Sequence, residues 1–200
     1  MKIYSYIIIL FFIISCQNKN GYSNLKENSC VIILNEVNEH FILSDINYNL
    51  IKIKNSKNGK VFFSLDPECP LSKSYSITIN QLHEKYGDNI DFYGVFTSSV
   101  FSQEKTNDFI QKNNITMPLI IDTNQVLTKF LDAKITPECF LLDSKLNVIY
   151  RGLIDVWVKE LGRKRQYIEN HYLDNSLELY LKNKPILIKE TDAIGCIIQR

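Results

Sequence analysis

An unbroken apolar run, VFFSL at Val61–Leu65, gives way to DPECP and then to a helical pattern. A short run with no polar alternation suits a strand buried on both faces. Beyond it Leu71, Tyr75, Ile79, Leu82 and Tyr86 recur at steps of four, four, three and four, which is one face of an α-helix. Gly87 is placed to end that helix. Pro70 suits its first turn, where the missing N–H would have had no intrahelical partner. Cys69 thus lies between the end of a buried strand and the positive end of a helix. Unpaired amides and the helix dipole favour a thiolate there, so Cys69 is the candidate reactive sulfur. The bland alternative is an inert cysteine that closes a strand.

The surrounding segments predict an α/β fold with a mixed sheet. Between Val31 and Ile53 the runs VIIL, HFIL and LIKI alternate with polar breaks, and Asn58-Gly59 signals a turn. IDFYGVF (Ile90–Phe96) reads as a strand, SQEKTNDFIQKNN as a helix opening at Ser102 with a thin apolar face, and MPLIID (Met117–Asp122) as a short strand. NQVLTKFL (Asn124–Leu131) reads as a short helix, and ECFLLD and NVIYRGLI as a hairpin turning at Ser144–Asn147. Leu173, Leu177 and Tyr180 indicate a last helix ending before Pro185.

The amino terminus, MKIYSYIIILFFIIS, holds an apolar run from Ile7 to Ile14. It is too short for a hydrocarbon core, which needs about 20 apolar residues, but fits the h-region of an export signal. QNKNGYSNLKENS after Cys16 is a polar, Asn-rich tether. An exported chain meets oxidising conditions, in which cysteines form disulfides. Cys30, Cys69, Cys139 and Cys196 allow three complete pairings, and the residues alone do not choose among them.

Several stretches carry a resemblance. Ile13-Ile14-Ser15-Cys16 resembles the lipobox of bacterial lipoproteins, which implies that Cys16 is the lipidated residue of an envelope protein tethered to a membrane and facing the periplasm. VFFSLDPECPLSKSY, KYGDNIDFYGVF and ITPECFLLD resemble the thioredoxin superfamily, redoxin branch, which includes alkyl hydroperoxide reductase and thiol-specific antioxidant relatives. The resemblance runs from Glu39 to Gly152 and implies a thioredoxin-like three-layer sandwich with a mixed central sheet. It adds amino-terminal β elements and a carboxy-terminal helical and irregular extension. It also implies a cis bond at Thr136-Pro137, in a loop facing the active sulfur. The wider match, with Cys-Pro-x-Ser in front and Gly-Cys near the end, resembles a bacterial redoxin group. There Ser72 replaces the second cysteine of the usual pair, and Cys196 becomes the partner of Cys69. The implied organisation is a signal at 1–15, a tether at 16–29, the redoxin domain at 30–154 and the extension at 155–200. The implied activity is thiol–disulfide exchange with protein or small-molecule thiols and disulfides, without a cofactor or metal. The alternatives are a binding module stapled by a Cys69–Cys196 disulfide, a thiol peroxidase, and soft-metal delivery. Asp66 stands where peroxidases of this fold set a hydroxyl, and Lys73 where copper-delivery relatives set a second cysteine.

Other residues take plainer readings. The balance of 23 basic against 22 acidic side chains gives no reason to expect nucleic acid as partner. Cys139 sits in an apolar run and reads first as a small hydrophobe, with pairing to Cys69 or Cys30 as the alternative. His40 and His171 lack metal-ligand spacing, and His83, next to Leu82 on the first helix, reads as a surface or boundary side chain. Trp157 and the Arg163–Lys164–Arg165 run read as a solvated loop, with a partner-binding or anionic-substrate surface as the alternative, and Glu68 and Lys73 as charges facing water rather than tuning the sulfur they flank.

Overall fold

The computed structural model describes residues 40–98, 101–160, 163–164 and 166–199. The export-signal, lipidation and tether expectations, with Cys16 and Cys30, lie outside those residues. In chain order the elements are β1 (His40–Asp45), β2 (Leu50–Lys54), β3 (Gly59–Leu65), α1 (Pro70–Tyr86), β4 (Ile90–Phe96) and α2 (Gln103–Asn113). There follow β5 (Leu119–Ile121), α3 (Val126–Phe130), β6 (Ile135–Thr136), β7 (Glu138–Leu142) and β8 (Val148–Gly152). The last are β9 (Val158–Glu160), β10 (Arg163–Lys164), α4 (Tyr172–Leu181) and β11 (Cys196–Ile197).

Seven strands form a mixed sheet in the order β2-β1-β5-β4-β3-β7-β8. β3 pairs parallel with β4 and antiparallel with β7, and every one of its residues is buried. A strand with a period of two delivers alternate residues to opposite faces. Val61, Phe63 and Leu65 accordingly join Tyr75, Ile79, Phe109, Leu173 and Leu177 on the face covered by α1, α2 and α4. Phe62 joins Leu127, Leu131 and Phe140 on the face covered by α3. The result is a mixed α/β, thioredoxin-like three-layer fold.

Two ends are built locally as their residues dictate. The Ser102 hydroxyl caps α2 by accepting from the Lys105 amide at 3.4 Å, and only Thr106 and Phe109 of that helix are buried. The β7–β8 hairpin turns on Asp143, whose Oδ1 accepts from the amides of Lys145 and Asn147 at 2.8 and 2.9 Å. Beyond Asp155, the chain is woven into the core rather than laid over it. Leu173 and Leu177 of α4 have no exposed surface. At 189–191 the backbone runs beside β8, with the Arg151 amide donating to Lys189 O at 2.9 Å and the Thr191 amide to Arg151 O at 3.1 Å. That approach requires Gly152: φ is +121°, and a Cβ there would lie 2.1 Å from Thr191 O.

Trp157 departs from the sequence expectation. It is half-buried with its ring edge-on to Tyr75, centroids 5.4 Å apart, so it is a packing residue and not part of a solvated loop. Tyr75 Oη donates to Asp155 Oδ1 at 2.9 Å, and the Trp157 amide donates to the same oxygen at 2.8 Å.

Candidate active site

The loop that presents Cys69 is folded by its own side chains. Asp66 Oδ1 accepts from the Glu68 amide at 2.7 Å, and Asp66 O accepts from the Cys69 amide at 3.1 Å. The Asp66 amide in turn donates to Ser72 Oγ at 3.3 Å. Asp66 is therefore a turn-forming residue of the kind Asx side chains supply. Ser72, fully buried in the first turn of α1, ties that turn to the helix. Cys69 sits at the helix N-cap with extended backbone (φ −72°, ψ 119°), and Pro70 begins the helix.

Three segments distant in sequence meet at this sulfur. Cys69 Sγ lies 3.1 Å from Thr136 O and 2.7 Å from Cys196 Sγ. Thr136-Pro137 is a cis bond. The loop before it is fixed by Ser64, which is 2% exposed. Its hydroxyl donates to Ile135 O at 2.6 Å and accepts from the Glu138 amide at 3.0 Å. Cys196 arrives on β11, which pairs antiparallel with β6 so that Cys196 faces Thr136 and Ile197 faces Ile135. Thr136 Oγ1 donates to Cys196 O at 3.4 Å. Gly195 passes so close that a Cβ would lie 2.2 Å from Thr136 O.

Electrostatics separate the two sulfurs. Burial opposes ionisation of Cys69. The hydrogen bond from Cys196, the Ser72 and Leu71 amides and the Thr136 side chain outweigh it and hold the Cys69 thiol below its ordinary value. Cys196 is pushed up to about 12 by burial, by donating its hydrogen to Cys69, by the negative charge on Cys69 and by Asp66. The carboxylate of Asp66, three residues before Cys69, thus bears on Cys196. One proton between two sulfurs resides on Cys196, leaving Cys69 as the thiolate. When Cys69 is protonated, its S–H has Thr136 O as acceptor.

The third thiol stands apart. Cys139, fully buried on β7, lies 3.3 Å from Gly152 O and 3.5 Å from Leu153 O, and burial pushes its thiol well up. Glu68 is exposed and pairs with Lys105 at 2.7 Å. His83 is half-buried against Thr116 Oγ1 at 3.0 Å, and His171 is exposed. No group of three or more His, Cys, Asp or Glu able to hold a metal occurs among the described residues.

The fold and this sulfur pair define a thioredoxin-like redoxin. The family model described as AhpC/TSA family matches residues 35–151, and the chain belongs to that family. Among solved structures it is similar to an uncharacterized conserved protein from Geobacillus kaustophilus, at 20% identity and a TM-score of 0.69, over 81% of this chain and 89% of that one. A hypothetical protein from Sinorhizobium meliloti 1021 gives 20% and 0.69, over 80% and 90%. A thiol-disulfide oxidoreductase from Bacteroides fragilis NCTC 9343 gives 13% and 0.50, over 56% and 87%. No curated protein matches.

Gly195 and Ser64 are parts of the site that residue patterns point to weakly or not at all. Glycine before the terminal cysteine is a visible signal. Ser64 in the middle of an apolar run carries none.

Proposed function

We propose that the chain exchanges disulfides, with Cys69 as nucleophile and Cys196 as the resolving sulfur. The observation that carries this reading is the 2.7 Å separation of the two sulfurs, with the Cys69 thiol held low and the Cys196 thiol pushed up. The Cys69 thiolate attacks one sulfur of a partner disulfide, forming a mixed disulfide and releasing the other sulfur as a thiolate. Cys196 then gives its proton to the departing side and attacks Cys69. That step forms the Cys69–Cys196 disulfide and frees the second partner thiol. The partner gains two electrons, and an external dithiol returns them to the pair. Lipidated Cys16 tethers this activity at the cell envelope, facing the periplasm, a reading that rests on the amino-terminal sequence.

A binding module with a structural staple is the second reading, favoured by the 3% exposure of Cys69. The test counts thiols released from a small aromatic disulfide, with Cys16 and Cys30 replaced by serine to remove their contribution. Two leave per protein in the otherwise unaltered chain, one in Cys196→Ala with the adduct on Cys69, and at most one, released slowly from Cys196, in Cys69→Ser. Release in Cys69→Ser as fast as in Cys196→Ala contradicts the proposal.

A further inference from the structure

Cys69 is closed over by the chain's own end. With 3% exposure and Cys196 and Thr136 against its sulfur, no external disulfide reaches it while β11 stays in place. The two sides of that end are held unequally. Thr191 is pinned: its hydroxyl accepts from the Leu153 amide at 2.8 Å and pairs with Tyr150 Oη at 2.9 Å, and its amide bonds Arg151 O. Residues 192–194 then run without regular structure. Beyond them, besides the two-residue pairing with β6, the tail is fastened by Thr136 Oγ1 to Cys196 O at 3.4 Å, by the Ile198 amide to Lys134 O at 2.9 Å and by Gln125 Nε2 to Gln199 O at 2.6 Å. Ile198 is its single buried hydrophobic anchor, while Ile197 is 80% exposed. A short terminal segment held by few buried groups belongs to the part of a structure that opens without global unfolding.

We infer that residues 195–199 are an internal stand-in for the exchange partner. The partner is then an extended polypeptide whose cysteine is preceded by glycine, seated antiparallel on Ile135–Thr136 once β11 leaves. This rests on Cys69 being the exchanging sulfur. A released β11 leaves the amide and carbonyl groups of Ile135 and Thr136 unpaired, the condition under which an extended chain adds to a strand edge. The tail itself shows how such a chain places a cysteine on Cys69. It also shows the constraint on the preceding residue, since a Cβ at position 195 meets Thr136 O at 2.2 Å and Ile135 Cγ2 at 2.7 Å. The sequence of events balances. β11 leaves, Cys69 attacks the partner's cysteine sulfur, and the sulfur formerly bonded to it departs as thiolate. Rebinding of the tail brings Cys196 back to attack Cys69, and the partner's cysteine leaves carrying the Cys196 proton.

The test uses the full chain and a synthetic peptide, DAIGCIIQR, joined through its cysteine to a chromogenic aromatic thiol. A second peptide has alanine in place of the glycine, and the free aromatic disulfide is the control. Gly195→Ala removes the close fit of the strap. Ile198→Ala removes its anchor without introducing a clash, so the result does not hang on one variant, and protection of Cys139 from alkylation reports that each is folded. Both variants are expected to react faster than the unaltered chain with all three probes. Each is expected to prefer the glycine peptide over the alanine peptide by about five- to a hundredfold, the range that a forced side-chain overlap commands. Equal rates with the two peptides overturn the inference while leaving Cys69 as the exchanging sulfur. Variants that react no faster than the unaltered chain overturn it too. Failure of all three probes to modify Cys69 removes the exchange reading, and this inference with it.

Discussion

Replacing Cys196 by alanine removes the S–H that faces Cys69 and leaves the amides of Leu71 and Ser72 in place. A hydrogen bond to an ionised group contributes about 1.5–3 kcal/mol, and about 1.4 kcal/mol is a factor of ten in an equilibrium. At a pH below both midpoints, the thiolate fraction of Cys69 is therefore expected to fall by roughly ten- to a hundredfold. A smaller side chain also admits water, which relieves burial and trims the rise in pKa, so the lower end of that range applies. Access changes in the opposite sense, because the sulfur loses its cover. The assay is therefore the pH profile of iodoacetamide alkylation, read at Cys69 by peptide mass. The plateau reports access and the midpoint reports ionisation. The reduced, unaltered chain is expected to show a midpoint below the ordinary thiol value of about 8.5. Cys196→Ala is expected to show a higher midpoint and a plateau at least as fast. A midpoint that stays put or moves down in the variant refutes the argument that Cys196 stabilises the thiolate.

Further outcomes follow from the packing. Ser64→Ala leaves Ile135 O and the Glu138 amide without their side-chain partner, at about 1–3 kcal/mol. The midpoint of thermal unfolding should fall by about 2–4 °C per kcal/mol, and Cys69 should alkylate faster as the loop loosens. Leu177→Ala, at a position with no exposed surface, is expected to lose about 2–5 kcal/mol in denaturant unfolding. A loss below about 0.5 kcal/mol, the scale of surface substitutions, would show that the extension merely rests on the domain. Cys139 is expected to resist alkylation in the native protein and to react only in denaturant; modification at the rate of Cys69 contradicts its burial.

The parts of the fold legible in the residues are those where one local pattern decides the environment. The unbroken run at Val61–Leu65 is an interior strand with both faces of the sheet covered, and the steps from Leu71 to Tyr86 mark the face α1 buries. Pro70 announces the helix start and so the place of Cys69. Elements that exist only through distant partners were not legible. β6 and β11 are two residues each, too short for any period, and their pairing joins positions about sixty apart in the chain. The buried polar residues behave likewise. Ser64 and Ser76 meet groups whose approach only the folded chain creates, Ile135 O and Asn113 Oδ1. Lys60, 2% exposed, is paired with Asp91 at 3.0 Å across the parallel β3–β4 ladder. Trp157 reads as a loop residue because of the basic GRKRQ run that follows it at Gly162–Gln166, whereas its ring is placed by Tyr75 from α1.

The most direct measurement is the reduction potential of the Cys69–Cys196 pair, titrated in dithiol buffers and read by peptide mass. Stabilising the Cys69 thiolate stabilises the reduced form, so the potential is expected above the region, below about −300 mV, where structural disulfides lie. A pair that stays oxidised well below that value is a staple, and the exchange mechanism is wrong.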